Sequence, residues 1–359
     1  MCTEDELCLA KKWSIGLVSR GNALPGGSTR GRPMSGIRIG LIGAGGIATR
    51  HLPAWLSLGA EVVVYSERGA RELTERFGGT AVASLDELLE CCDVVDVVTP
   101  TPVHRVCAET ALRAGKDVIC EKPLARHHDD AVAMARLADQ EGRQLLPAHV
   151  VRFRAEYAAM RAAVHEGRIG VPAVARYSRT APFPAWSSWF ADPQESGGVV
   201  LDLLIHDLDI AHWVCGEVTE VYAVTSQAQH QGTPTATAHA VLTHANGAIS
   251  HVTGTWGAPG IRLTTSYHVS GTHGVLSFDS AAEHTIRLNT PDGAGAPDVR
   301  AGGDPFLGEL REFSRAIGGG PPARLNARDG IIAVDLALAA LESIRTGKAV
   351  PFLTWNGGW

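Results

Sequence analysis

Residues 37–48 read IRIGLIGAGGIA, and the two halves of that stretch decide the fold. Ile37 to Ile42 is a short apolar run of strand type. Gly43 to Ala48 has the form GxGxxA, and Thr49 to Leu58 reads as a helix, with Pro53 in early turns that tolerate it. A glycine turn between a strand and a helix has a physical task. Gly43 permits the tight turn, Gly45 lets a pyrophosphate approach the backbone, and Ala48 lets helix and strand pack closely. Free N–H groups at the helix start, at Gly46 and Ile47, hold phosphates.

The pattern continues outward. Glu61–Tyr65, Asp93–Val98, Asp117–Cys120 and Gln144–His149 are further apolar runs of strand length, and helical segments separate them. Strands apolar on both faces, alternating with helices, predict a doubly wound parallel sheet of the α/β class. Beyond residue 150 the pattern changes. A helix over Arg154–Glu166 and the stretch Leu201–Trp213 come first. Alternating runs such as VYAVTSQAQ from Val221 and SYHVSGTHGVLSF from Ser266 follow, and a last helix spans Ala327–Ile344. The expected organisation is a dinucleotide-binding domain over 36–149 and an α+β domain over 150–359, built on a largely antiparallel open sheet. Gly-rich stretches near 293–297 and 318–322 read as surface loops.

Bulk composition narrows the function. The 359 residues suffice for two domains, and 45% apolar with 19% charged content suits a globular chain. A net charge of −6, without long basic runs, argues against nucleic acid or an anionic membrane as partner. The seven cysteines form no CxxC and no zinc spacing, so reduced thiols in a cytoplasm fit best. No apolar run has transmembrane length. Residues 1–35 lack periodicity and read as a disordered tail, with Met34 as an alternative start.

The residue after the second strand reads the adenine ribose, where Asp or Glu favours NAD and a small polar residue followed by Arg favours NADP. This chain has Ser66-Glu67-Arg68. Glu67 argues for NAD, Ser66 and Arg68 for NADP, and the balance tips toward NADP. TPTPVH, Thr99 to His104, follows the second of the apolar runs quoted above beyond the glycine turn, with Pro100 in its turn. CEKPLA, Cys120 to Ala125, follows the next and carries Glu121 and Lys122. Both motifs lie at carboxyl ends of strands, where open α/β sheets bind ligands.

Taken together these motifs resemble the Gfo/Idh/MocA oxidoreductase family, over about residues 36–350. The match lies in GAGGIA, TPTPVH, AGKDVICEKPLA, the VRF of Val151–Phe153, EGRIGVP of Glu166–Pro172, and SGGVVLDLLIHDLDIAHW. The resemblance implies a Rossmann domain followed by an α+β domain, a nicotinamide cofactor and a homo-oligomer associated through the second domain's sheet. It also implies a D-x-x-x-H pair on a second-domain helix, which Asp202 and His206 match.

That match gives LDLLIHDLDIAHW, Leu201 to Trp213, a chemical reading. The i, i+4 spacing puts Asp202 and His206 on one helical face. Oxidising an alcohol passes a hydride to the nicotinamide and a proton to a base, and His206 is a suitable base. Lys122 stabilises negative charge on the reacting oxygen. Asp202 binds a substrate hydroxyl, orients its neighbours and keeps Lys122 protonated. Asp209 supports the site or caps a neighbouring segment, Asp207 reads as solvated or paired with a cation, and His212 as structural. His206, Asp209 and His212 drift around the helix, so no metal is expected. Trp186 and Trp189 flank two serines and suit the C–H faces of a sugar or cyclitol, or simple packing. His149 and Arg152 follow the last apolar run of the first domain and either reach substrate hydroxyls or make structural bonds. The expected activity is NAD(P)-dependent hydride transfer on a secondary alcohol or ketone of a polyhydroxylated small molecule. Two rivals stand beside it: a glycosidase that retains its nicotinamide, and a non-catalytic dinucleotide-binding regulator.

Overall fold

The computed structural model describes residues 36–230, 232–282, 286–295 and 303–353. The expected tail over 1–35, with the alternative start at Met34, lies outside them. The chain forms two compact units. The first runs to Ala125 and takes in Asp129–Ala148 and Phe306–Ala327; the second holds Arg126–His128, His149–Pro305 and the chain from Arg328.

The first unit is built from β1 (Arg38–Ile42), α1 (Ala48–Ser57), β2 (Glu61–Tyr65), α2 (Ala70–Phe77), β3 (Thr80–Ala81), α3 (Leu85–Cys91), β4 (Val94–Val97), α4 (His104–Arg113), β5 (Asp117–Glu121), α5 (His128–Gln140) and β6 (Leu145–Ala148). Its six strands are parallel in the order β3-β2-β1-β4-β5-β6. This is the doubly wound arrangement, with the strand order reversing between β1 and β4. The apolar runs close its core: Ile39, Leu41, Val95 and Ile119 are fully buried, each contributing roughly 1.5–3 kcal/mol. Register decides what the core positions. Ile42 pairs with both Tyr65 and Val97, and Val97 pairs with Cys120. The carboxyl ends of β2, β1, β4 and β5 are therefore level, and Ser66, Gly43, Val98 and Glu121 follow them side by side.

The second unit contains a 3-10 turn at Val150–Phe153, α6 (Ala155–His165), β7 (Pro172–Pro182), a short α7 (Pro193–Ser196) and α8 (Ile205–Cys215). β8 (Val218–His230), β9 (Thr233–His244), β10 (Ile249–Gly257), β11 (Thr264–Gly271), β12 (Gly274–Asp279), β13 (Arg287–Thr290) and β14 (Gly293–Gly295) follow. The chain then gives α9 (Pro305–Ile317) to the first unit and returns as α10 (Ala327–Thr346) and β15 (Val350–Pro351). The nine strands run β14-β13-β12-β11-β7-β10-β9-β8-β15, and only β7 and β10 pair in parallel among the described residues. α8 packs on β7 and β10, leaving the other face of the sheet open.

Three differences from the sequence reading have physical causes. Gly293–Gly295, expected as loop, pairs with β13 as a short edge strand. The helix expected from Leu201 opens as a π turn over Val200–Leu204 before α8 begins. A Cβ at Gly254 of β10 would meet Leu204 Cδ1 at 2.9 Å, so this glycine admits the wider turn. Finally, α9 joins the first unit, where Phe306 packs edge-on against His51 at 5.6 Å and Gln144 Nε2 donates to Ala316 O at 3.1 Å. The limits expected from sequence, 36–149 and 150–359, made no provision for that return.

Candidate functional site

In the first unit the glycine turn has the required conformation. Gly43 sits at φ +112°, and a Cβ there would come within 2.7 Å of Val98 O. Gly45 and Gly46 are exposed, and nothing lies within 4 Å of a Cβ built on Gly45. Ile47 precedes α1 without a side-chain cap, and the helix has no acidic residue in its first turn. Its free N–H groups and the open backbone fit a dinucleotide pyrophosphate. Beside it, level with β2, Ser66 is half-buried and Glu67 and Arg68 are exposed.

Thr99 and Pro100 begin the turn after β4, which continues into a 3-10 turn at Thr101–Val103. His104 is buried, with Nδ1 2.9 Å from Pro123 O and Nε2 2.9 Å from Thr99 O. Burial lowers its pKa against these carbonyls, which raise it. A neutral ring donates to only one carbonyl. The neutral ring donates to one of these carbonyls and lies against the other, so His104 sits between the two motif loops rather than presenting its ring to a ligand.

The Lys122 turn rests on a buried network that sequence reading missed. Glu121 accepts from Lys122 N at 2.8 Å through Oε2, while its Oε1 lies 3.2 Å from His51 Nε2. His51 Nδ1 lies 2.9 Å from Asp96 Oδ2, which also accepts from Trp55 Nε1 at 2.7 Å. Burial works against an imidazolium, but the charge and hydrogen bond of Asp96, then Glu121, raise the His51 pKa well above its ordinary value. Burial likewise works to raise the Glu121 pKa, and His51, with Lys122 adding, holds it below the usual carboxylate range. Lys122 itself is half-buried, and its bond to Pro123 is cis. Glu121 was expected to contact the cofactor; its carboxylate is instead occupied inside the unit.

A third carboxyl completes this interior. Glu309 on α9 is fully buried, and neither oxygen has a hydrogen-bond partner among the described residues. Burial, with Glu121 and Asp96 adding, pushes its pKa well above the ordinary range, while His51 and Arg324 oppose. The folded state thus keeps a proton that the unfolded chain releases above its ordinary glutamate pKa. Stability falls as pH rises from there through the raised folded-state value, by at most about 1.4 kcal/mol per pH unit. Urea denaturation across pH 5–9 tests this. Glu309→Gln is expected to remove that slope and exceed the wild type in stability at neutral pH; equal slopes would refute it.

The second unit explains the charges on α8. Asp207 takes Arg179 of β7 bidentately, at 2.7 and 3.0 Å, and both are buried. Asp209 takes Arg152 bidentately at 2.9 and 2.6 Å, and Arg152 Nη1 reaches Asp329 at 3.0 Å. Burial opposes both guanidinium charges, and their carboxylates overcome it. Of the alternatives open for Arg152, substrate hydroxyls or a structural bond, the structure shows the bond, and Asp209, expected to support the site or cap a segment, is its partner in the interior. His149, also buried, has Nδ1 3.7 Å from Asp209 Oδ2. Arg152 lies over the Trp213 ring at 5.2 Å, and Arg161 at 5.4 Å.

From Val200 to Ala211 every residue is buried except Asp202 and His206. Both are half-buried, Asp202 in the π turn and His206 in the first turn of α8. Trp186 is 71% exposed, while Trp189 stacks on Phe190 at 4.1 Å within a cluster that reaches Trp256. Trp186 meets Phe190 edge-on at 5.5 Å and is the more exposed of the two tryptophans. At the far end of α8 a cleft of about 480 Å³ is lined by Arg161, His212, Trp213 and Glu217 among others. Among the described residues no group of three or more His, Cys, Asp or Glu could hold a metal.

Comparison with known proteins agrees with this geometry. Residues 37–149 match the model of an oxidoreductase family with an NAD-binding Rossmann fold, and 157–277 match the GFO/IDH/MocA C-terminal domain. A 1,5-anhydro-D-fructose reductase of Ensifer adhaerens is 32% identical over 338 residues, covering 88% of this chain and 99% of that one. The chain belongs to the Gfo/Idh/MocA oxidoreductase family. A myo-inositol 2-dehydrogenase of Thermotoga maritima is 29% identical over 88% of this chain and 98% of its own. In fold, the chain is similar to levoglucosan dehydrogenase in complex with NADH and L-sorbose, with a TM-score of 0.79 at 23% identity, covering 88% of this chain and 99% of that one. Neither the glycosidase nor the regulator reading is favoured by these Gfo/Idh/MocA relatives. No helix among the described residues is long and apolar enough to cross a membrane.

Proposed function

We propose that this Gfo/Idh/MocA oxidoreductase interconverts a secondary alcohol and a ketone on a sugar, sugar derivative or cyclitol. The observation that carries it is that Asp202 and His206 alone are not fully buried in the run from Val200 to Ala211. Bound nicotinamide dinucleotide supplies the hydride acceptor or donor, with its pyrophosphate over Gly43–Ile47 and its nicotinamide near Thr99, Pro100 and Lys122. His206 takes the hydroxyl proton on oxidation and returns it on reduction. The Lys122 ammonium donates to the reacting oxygen as negative charge develops there. Asp202 binds an adjacent hydroxyl and orients it, and Trp186 covers a C–H face of the ring. Arg152 and Asp209 support α8 from inside. Titration of intrinsic tryptophan fluorescence with NADH and NADPH, then a polyol and keto-sugar panel, tests this. Folded protein that binds neither dinucleotide would overturn it.

NADP is the preferred cofactor in this reading. Ser66 spares the 2′-phosphate the repulsion of an acid directly after β2, and exposed Arg68 can pair with it, against the opposing charge of Glu67. Arg68→Ala is expected to weaken NADPH binding about 10-fold, the worth of one charge-assisted hydrogen bond, and to leave NADH binding unchanged. An equal effect on both would refute the preference.

The open face of the nine-stranded sheet serves self-association. Tyr222 and Val224 of β8 lie on that face and are 41% and 46% exposed, while the alternating Val221 and Ala223 are buried. Light scattering after gel filtration should give a multimer mass, and a Tyr222→Lys, Val224→Lys variant a smaller one. A wild-type monomer at micromolar concentration would refute this.

A further inference from the structure

The network beneath Lys122 ties its turn to three further elements, α1, β4 and β5. The backbone N–H of Lys122 has a carboxylate for its acceptor, Glu121 Oε2 at 2.8 Å. That carboxylate is held from its other oxygen by His51, and His51 is held in turn by Asp96, itself fixed by Trp55. Four elements supply the chain: His51 and Trp55 from α1, Asp96 from β4, Glu121 from β5 and Lys122 from the turn after it. All but Lys122 are buried. An imidazole between two carboxylates makes both hydrogen bonds only if both nitrogens carry protons. Such charge-assisted bonds are shorter, stronger and more directional than neutral ones.

We infer that His51 is a positioning residue for Lys122, acting through Glu121: the imidazolium fixes the Glu121 carboxylate, and the carboxylate fixes the backbone from which the Lys122 side chain extends. The inference rests on the reading of Lys122 as the group at the reacting oxygen. The network also keeps Glu121 from folding outward to neutralise the Lys122 ammonium, because both carboxylate oxygens are already engaged. Asp96 anchors the relay. Glu309 is buried within electrostatic reach of His51, Glu121 and Asp96, yet makes no hydrogen bond to any of them, so it serves as the control for a change outside the relay.

The test uses the full chain and two readouts. The first is hydrogen exchange at the Lys122 amide, resolved by fragmentation of the peptide spanning 117–126, with the β1 peptide as internal reference. His51→Gln is expected to speed Lys122 exchange at least about 10-fold while β1 exchange stays unchanged. Asp96→Asn, a milder change that keeps an acceptor for Trp55 but removes the charge, is expected to speed it less. Glu309→Gln is expected to leave it alone. If His51→Gln does not fold, Asp96→Asn against Glu309→Gln decides. The second readout is kinetic. His51→Gln is expected to lower kcat with little change in dinucleotide affinity, and the His51→Gln, Glu121→Gln double variant to turn over no more slowly than Glu121→Gln alone. Unchanged Lys122 exchange in the His51 and Asp96 variants, the same acceleration in the Glu309 variant, or kcat losses that multiply would overturn the inference. If the wild type turns over no substrate, the oxidoreductase reading falls and the exchange data still decide the positioning role.

Discussion

His206→Asn is expected to bind dinucleotide as the wild type does and to lose about 100- to 10,000-fold in kcat, the range of a lost general acid–base group. The asparagine keeps the polarity and approximate size of the side chain, and the flanking Leu204, Ile205, Asp207 and Leu208 are buried and hold the helix in place. A folding defect is therefore not the expected cause. Lys122→Met should fall in the same range, since charge on the reacting oxygen is worth several kcal/mol in a desolvated site. Asp202→Asn should raise KM as well, because it removes the charge and replaces one of the two acceptor oxygens with an NH2 donor. The measurement is steady-state kinetics with one substrate from the polyol panel, alongside fluorescence titration with the dinucleotide. Full turnover by the His206 or Lys122 variant would sink the assignment of roles.

Much of this was legible from local pattern, and the rest was not for a single reason. Strands apolar on both faces, a GxGxxA turn and motifs at strand ends involve only near neighbours in sequence, and β2 and α2 fall at the expected residues. Charged residues in apolar surroundings were the points of failure, because their partners lie far along the chain. Asp96, inside the apolar run DVVDVV, needed a buried cation, and that signal could have led to His51, 45 positions earlier. Asp207 was read as solvated or paired with a cation. The second alternative holds, with a partner 28 positions away on a strand that alternation had not singled out. The π turn at Val200–Leu204 was invisible because apolar spacing barely distinguishes it from an α turn. Its cause, the missing Cβ of Gly254, lies 50 residues downstream.

The second large effect concerns that long-range pair. Arg179→Met is expected to destabilise the second unit by roughly 3–5 kcal/mol, because it leaves the Asp207 carboxylate buried and uncompensated. The pair is bidentate, with both side chains almost fully inside, so water cannot replace the guanidinium without opening the α8–β7 contact. The double change Arg179→Met, Asp207→Leu separates two accounts of the cost. If the loss comes from an orphaned charge, the apolar pair should recover most of it, since well-packed hydrophobic residues often match a buried ion pair in stability. If it comes from a register that only the ion pair specifies, the double variant stays as unstable as the single one, and the position of Asp202 and His206 on the same helix degrades with it. Urea denaturation of both variants, followed by kinetics on whichever remains folded, distinguishes the two. Recovery of stability together with wild-type turnover would mean that the Arg179–Asp207 pair is dispensable for placing Asp202 and His206. Recovered stability with lost turnover would mean that the Arg179–Asp207 pair aims the helix rather than holding it.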